Sequence, residues 1–173
     1  MSNKILVTYA SRTGSTAEVA EAIGKTLGAN GAQVDVVPMK DVKDLAQYSA
    51  VVAGSAIRKS KWLPEAEQFV RTHRAALAQK PFAEFTVCIT LAMSSAEQYR
   101  AVVAKWVEPV RALVKPVSEG FFAGMLDFSK LPMNLDTLQL RAVVALHIFP
   151  SGDRRDWNAV RAWAEGLRPL LLQ

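Results

Sequence analysis

Ile5-Leu6-Val7-Thr8-Tyr9-Ala10-Ser11-Arg12-Thr13-Gly14-Ser15-Thr16 decides the reading of this chain: an apolar β-branched run, a turn dense in hydroxyls, then the start of an amphipathic helix. A strand that feeds a helix through such a turn brings several hydroxyl side chains and backbone N–H groups to a helix N-terminus. The partial positive charge of that terminus favours an anion, and phosphate in particular. The candidate anion ligands are Ser11, Arg12, Thr13, Gly14, Ser15 and Thr16.

Outward from this turn, apolar runs recur between helical patterns: Val34 to Val37, Ala50 to Gly54 and Phe85 to Leu91, with a fifth strand expected within Val117 to Met125. Strands alternating with helices in this way predict an α/β fold, a doubly wound five-stranded parallel sheet with helices on both faces. The first helix, Thr16 to Gly28, aligns Ala20, Ile23 and Leu27. Pro64 opens a second, with Ala66, Phe69, Val70 and Leu77 turned inward. Ser94 or Ser95 can cap a third, which Pro109 should disturb. Asp156 is a good N-cap for the last helix, whose Trp157, Val160, Trp163 and Leu167 form a core-facing stripe.

One segment exceeds a minimal five-strand domain. Asp127 to Pro150 contains a helical run, Leu135 to Ile148, that is apolar around most of its circumference. Such a helix wants burial, on the domain's own sheet, in a dimer contact or at a membrane surface. Residues 1–173 therefore read as one domain with an extra helical insertion at about 127–150.

Composition sets the outer bounds. With 173 residues and 50% hydrophobic content, the chain is the size of one compact domain with a full core. Its single cysteine, Cys88, cannot form an intramolecular disulfide and reads as a buried structural thiol rather than a nucleophile, which suits a reducing compartment. The start, Met1-Ser2-Asn3-Lys4, leads directly into a strand without the features of a secretory signal, so a cytoplasmic protein is expected. No run reaches the roughly 18 consecutive apolar residues of a membrane-spanning helix. A net charge of +5 is too mild and too dispersed to argue nucleic-acid binding, but it suits an anionic small molecule or a membrane surface.

In an open parallel sheet, ligands bind beyond the carboxyl ends of the strands, where neighbouring connections part to opposite faces. The connection Ser55-Ala56-Ile57-Arg58-Lys59-Ser60-Lys61-Trp62-Leu63 is long for its type, so a task beyond connection is expected. Trp62 offers a flat face on which a ring could stack, although it could equally fold back on the surface. Arg58, Lys59 and Lys61 could serve a ligand or form a solvated basic loop. After the fourth strand, Leu91, Ala92 and Met93 complete the expected pocket.

Several chemistries are excluded by what these turns lack. Gly24-Lys25-Thr26 resembles the end of a nucleotide-binding P-loop, but Val19 stands where the earlier glycine belongs. A dinucleotide fingerprint needs three glycines after the first strand, and only Gly14 is present. A phosphoacceptor receiver needs an aspartate where this chain has Ala53-Gly54. His73 and His147 lack metal-ligand spacing and read as structural or surface residues.

Ser11-x-Thr13-Gly14-x-Thr16 after a first strand resembles the phosphate-binding signature of the flavodoxins. Ala53-Gly54-Ser55-Ala56-Ile57-Arg58, Lys61-Trp62 and Gly152-Asp153-Arg154-Arg155-Asp156-Trp157 are similar to the flavodoxin-domain proteins that include the bacterial quinone-dependent protoporphyrinogen dehydrogenases. This resemblance implies non-covalent FMN, with its phosphate on the hydroxyl turn and its ring between the loops Ser55 to Trp62 and Leu91 to Ser94. Backbone amides of Ser55, Ala56, Ile57, Arg58 and Lys59 would meet the ring edge. The chain departs from electron-carrier flavodoxins in its basic charge, and Met93 lies where many of them place a tyrosine.

The function expected is that of an FMN-binding redox protein moving electrons between a donor and a quinone or protein acceptor, in the cytoplasm or at the inner face of the membrane. Electron carrier and protoporphyrinogen dehydrogenase-type enzyme remain open within that class. A flavin-free binding or scaffold module is the rival from outside it.

Overall fold

A computed structural model describes residues 4–29, 31–93, 96–146 and 150–172. The hydroxyl turn lies between strand β1 (Lys4–Ala10) and helix α1 (Ser15–Gly28). The chain continues through β2 (Gln33–Pro38), β3 (Ala50–Arg58), β4 (Lys61–Trp62), α2 (Pro64–Thr72), α3 (Arg74–Leu77) and β5 (Phe82–Cys88). Then come α4 (Ala96–Arg111), β6 (Ser118–Ala123), β7 (Met125–Leu126), α5 (Leu135–Ala145), β8 (Gly152–Asp153) and α6 (Trp157–Leu171).

Five strands pair in parallel in the order β2-β1-β3-β5-β6, the doubly wound sheet the sequence predicts. Its central strands are apolar on both sides because both sides are covered. Ile5, Val7, Val52 and Phe85 pack with α1 and α6, whereas Leu6, Val51, Ala53 and Phe82 pack toward α2 and α4. Gly54 allows the closest of these contacts, since a Cβ there would lie 2.0 Å from the Phe85 ring. Trp163 belongs to the same core: its ring stands edge-on to Phe122 at 5.6 Å, and its N–H donates to Ser118 Oγ.

Several boundaries differ from expectation, each for a local reason. The fourth parallel strand ends at Cys88, not Leu91, because its ladder with β6 ends at the pair Cys88–Ala123 and the chain then curls into a 3₁₀ turn, Ile89–Ala92. Pro109 does not break α4. It lies in the last turn, where one missing N–H removes a single bond while Val107 and Val110 hold the helix to the core. The cap expected from Ser94 or Ser95 falls outside the described residues, as does His147. His73 joins α2 to α3, its ring 4.7 Å from that of Phe69.

The largest departure concerns the connection after the third strand. Instead of a long open loop, β3 runs on to Arg58 and turns back through Lys59 and Ser60 into β4, pairing Ile57 with Trp62 and Arg58 with Lys61. Both turn residues have positive φ, 50° and 60°, the backbone that a two-residue hairpin requires.

Beneath α4 sits a polar cluster. Glu84, fully buried in β5, lies directly across the ladder from Glu119 of β6, which pairs with Arg111 of α4 at 2.6 Å. Burial first, and then the neighbouring Glu119 carboxylate, push the Glu84 carboxyl up to about 9.

The segment between β6 and α6 leaves and returns through a small antiparallel pair, Met125 with Asp153 and Leu126 with Gly152. Inside it, Asn134 caps α5 by accepting from the Thr137 N–H. This helix is not the buried element that its composition suggests: Thr137 is buried, while Leu135, Leu138 and Leu146 are 59–70% exposed. Residues 147–149 lie outside the described residues.

Candidate functional site

The order of the sheet reverses at β1 and β3, whose following helices α1 and α2 lie on opposite faces. A cavity of about 620 Å³ opens there, at the carboxyl ends of the strands. Its walls are Ser11, Arg12, Thr13 and Ser15 of the hydroxyl turn, Ala56, Ile57, Arg58, Lys59 and Ser60 of the hairpin, and Val87, Cys88, Ile89 and Thr90 after β5.

The turn is shaped by its own residues. Ser11 Oγ accepts from the Gly14 N–H at 3.0 Å, and Gly14 takes φ +93°, a conformation glycine adopts without strain. Among the described residues no side chain caps α1, whereas Asn134 and Asp156 cap α5 and α6. The first amides of a helix have no carbonyl one turn earlier to bond, so this helix start keeps open donors. At its second position, Thr16 Oγ1 is buried and has no hydrogen-bond partner among the described residues. An orphaned hydroxyl beside open amides destabilises the empty turn and fits an anion.

Arg12 lines the cavity, but its guanidinium is engaged in a two-pronged pair with Glu65 in the first turn of α2. It is not a free cation. Ser55 is likewise committed: its Oγ donates to Ala56 O and accepts from the Leu63 N–H, which fastens the end of the hairpin. Its backbone lies within the sheet, paired with Ala10 and Thr86.

Trp62 presents no face to the cavity. It is fully buried, and its indole N–H donates to Thr86 Oγ1 at 2.9 Å. The hairpin register sets it opposite Ile57, and it joins Val103 and Val107 in the core under α4. Trp62→Phe is therefore expected to cost about 1–3 kcal/mol of stability, from lost volume and an unpaired Thr86 hydroxyl, and to leave ligand affinity unchanged. Urea denaturation and a binding titration on the same preparation check the two halves.

The third expected loop is also displaced. Because β5 ends early, residues 88–90 face the cavity, while Leu91 lines a separate cavity of about 430 Å³ with Glu97 and Arg100. Ala92 and Met93 line neither. Burial pushes the Cys88 thiol up, as suits a structural cysteine at the cavity floor.

Sequence reasoning missed the remaining wall, formed by Met125, Leu131, Asp136, Thr137, Gln139 and Leu140. The extra segment thus borders the same cavity as the hydroxyl turn. A second omission is Arg155, whose guanidinium reaches the first turn of α1. The string Gly152 to Trp157 was its only visible signal.

Residues 6–147 match the profile of the flavodoxin domain. The chain belongs to the flavodoxin-domain family. Flavodoxin-domain proteins are FMN-binding flavoproteins of electron transfer. Among solved structures, a flavodoxin from the domain Archaea is 21% identical, with a TM-score of 0.55 over 96% of each chain. A short-chain flavodoxin associated with a non-canonical PDU bacterial microcompartment is 14% identical, with a TM-score of 0.59 over 95% of each chain. The flavodoxin of Streptococcus pneumoniae TIGR4 is 16% identical, with a TM-score of 0.56 over 96% of this chain and 98% of its own. At these identities the likeness establishes the fold. No curated protein sequence matches the chain.

The family's cofactor meets a donor set of suitable chemistry here: open amides, the orphaned Thr16 hydroxyl, and the hydroxyls of Thr13 and Ser15. Among the described residues no helix is long and apolar enough to cross a membrane.

Proposed function

We propose that this flavodoxin-domain protein is an FMN-dependent redox protein, passing electrons between a donor and a quinone or protein acceptor. The observation that carries this reading is the uncapped start of α1, where Ser15 lines the cavity shared with the β3–β4 hairpin and the adjacent Thr16, which does not line it, keeps a buried hydroxyl without a partner among the described residues. Ser11, Thr13, Gly14, Ser15 and Thr16 would hold the phosphate, and residues 56–60 and 88–90 would flank the ring. FMN supplies the redox chemistry when bound. The chain's own residues bind and orient it, and the segment at 127–150, an insertion in what we read as one domain spanning 1–173, limits access to it.

Titrating the apo-protein with FMN tests this directly: saturable uptake with altered flavin absorption and quenched fluorescence is expected. A protein that takes up no FMN would instead be a flavin-free binding or scaffold module.

A narrower reading is favoured by the position of the insertion. Leu131, Thr137 and Leu140 wall the cavity, so a second molecule bound between insertion and hairpin would be enclosed beside the ring. That arrangement suits a protoporphyrinogen dehydrogenase-type enzyme better than a carrier with an open ring edge. Reduction of the bound flavin by protoporphyrinogen, followed by reoxidation with a quinone analogue, is the expected result. The absence of any reduction would leave the carrier. Exposed Met133, Leu135 and Leu138, near a cavity rim that carries Arg58 and Lys59, support cytoplasmic protein at the membrane surface.

A further inference from the structure

The side chain of Arg155 is only 4% exposed, although no part of the proposed chemistry uses it. Its guanidinium is a junction between two parts of the chain. Nη1 donates to Glu18 Oε2 at 2.8 Å and to the Ser15 carbonyl at 3.4 Å, both in the first turn of α1. On the other side, Nε and Nη2 grip the Asp153 carboxylate at 2.8 and 2.5 Å, and the guanidinium carbon lies 4.5 Å from the Trp157 ring centre. A planar fork that satisfies two carboxylates and a carbonyl while lying over an aromatic ring is a task for arginine, not lysine.

Its location gives the arrangement its meaning. Glu18 is the one acidic residue in the first turn of α1, and an acid there complements the helix dipole only while no other anion occupies the helix start. A phosphate at the same terminus would be repelled by an unpaired Glu18 carboxylate. Through its bond to the Ser15 carbonyl, Arg155 also fixes the backbone whose amides face that phosphate.

Resting on the reading of the turn as an FMN phosphate site, we propose that Arg155 is its positioning residue. It neutralises Glu18 and fastens the first turn of α1 to the β7–β8 pair, so that the helix start accepts an external dianion. Arg155 does not touch the phosphate. Its effect is confined to the phosphate end of the cofactor.

That confinement supplies the test, because riboflavin carries the ring and lacks the phosphate. FMN and riboflavin are titrated into the apo-forms of the parent protein, Arg155→Met, Arg155→Lys, Glu18→Gln and the double variant Arg155→Met with Glu18→Gln, at low and high salt. In Arg155→Met, FMN affinity is expected to fall about tenfold, and riboflavin affinity to stay within about twofold. The FMN loss should shrink at high salt and be largely restored in the double variant, where no unpaired Glu18 carboxylate remains. Arg155→Lys keeps the charge and should fall between parent and Arg155→Met. Equal losses for FMN and riboflavin would reduce Arg155 to general structural support, and an unchanged FMN-to-riboflavin ratio in both Arg155 variants would overturn the proposal. Should Arg155→Met not fold, Arg155→Lys and Glu18→Gln decide by the same ratio. A parent protein that binds neither flavin removes the proposed function and this inference together, whereas FMN uptake by the parent with an unmoved ratio removes this inference alone.

Discussion

Thr16→Val is expected to weaken FMN binding by about 10- to 100-fold while leaving the apo-protein as stable as the parent or more so. Two effects of one atom separate here. Valine keeps the shape and branching of threonine, so the packing of α1 against the sheet is retained. In the empty protein the lost hydroxyl was buried and had no partner among the described residues, and its removal relieves a desolvation cost. In the loaded protein the same hydroxyl would donate to a charged oxygen, a bond worth about 1.5–3 kcal/mol. A thermal melt of the apo-forms and a fluorescence titration with FMN measure the two directions. Unchanged FMN affinity would remove Thr16 from the phosphate site.

Glu84→Gln is expected to abolish a steep dependence of stability on pH. In the folded chain the Glu84 carboxyl is pushed up to about 9 by burial and by the Glu119 carboxylate, against an ordinary value of 4.5. The folded state therefore keeps a proton that the unfolded chain releases. The contribution of this group to stability is full below the ordinary carboxyl value. It is lost as pH rises toward about 9, and beyond that both states are ionised and the loss stops. Glutamine preserves the volume and cannot ionise. Urea unfolding between pH 6 and 8.5 should show a falling midpoint for the parent and a nearly level one for the variant. Parallel pH profiles would show that Glu84 does not hold the proton.

How much of this was legible depended on the range of the interactions involved. The strand, turn and helix of residues 4–28 are specified by near neighbours, and the hydroxyl spacing that suggests a phosphate is local too. Trp62 was not legible in the same way. Its inward direction depends on a hairpin turned by Lys59 and Ser60, both at positive φ without a glycine to announce it. The apolar run from Phe85 to Leu91 extends past the ladder it enters, and nothing in the run itself marks Cys88 as the last paired residue. Arg155 meets Glu18 from 137 positions away, so charge composition alone left it among the dispersed basic residues. In α5 the apolar pattern gave the helix but not its burial, because the cavity beside it is lined by Thr137, Gln139 and Leu140 while Leu135 and Leu138 face outward.

The antiparallel pair of β7 and β8 brings the two ends of residues 127–151 to adjacent positions before α6 begins. For the sheet, that segment is a detachable appendix: the strands on either side would need only a tight turn to close without it. Joining ends that are already neighbours adds little loop entropy, so segments of other lengths and sequences can be exchanged there without re-registering a parallel strand. One redox scaffold could thereby be refitted for different electron donors by splicing at a single doorway.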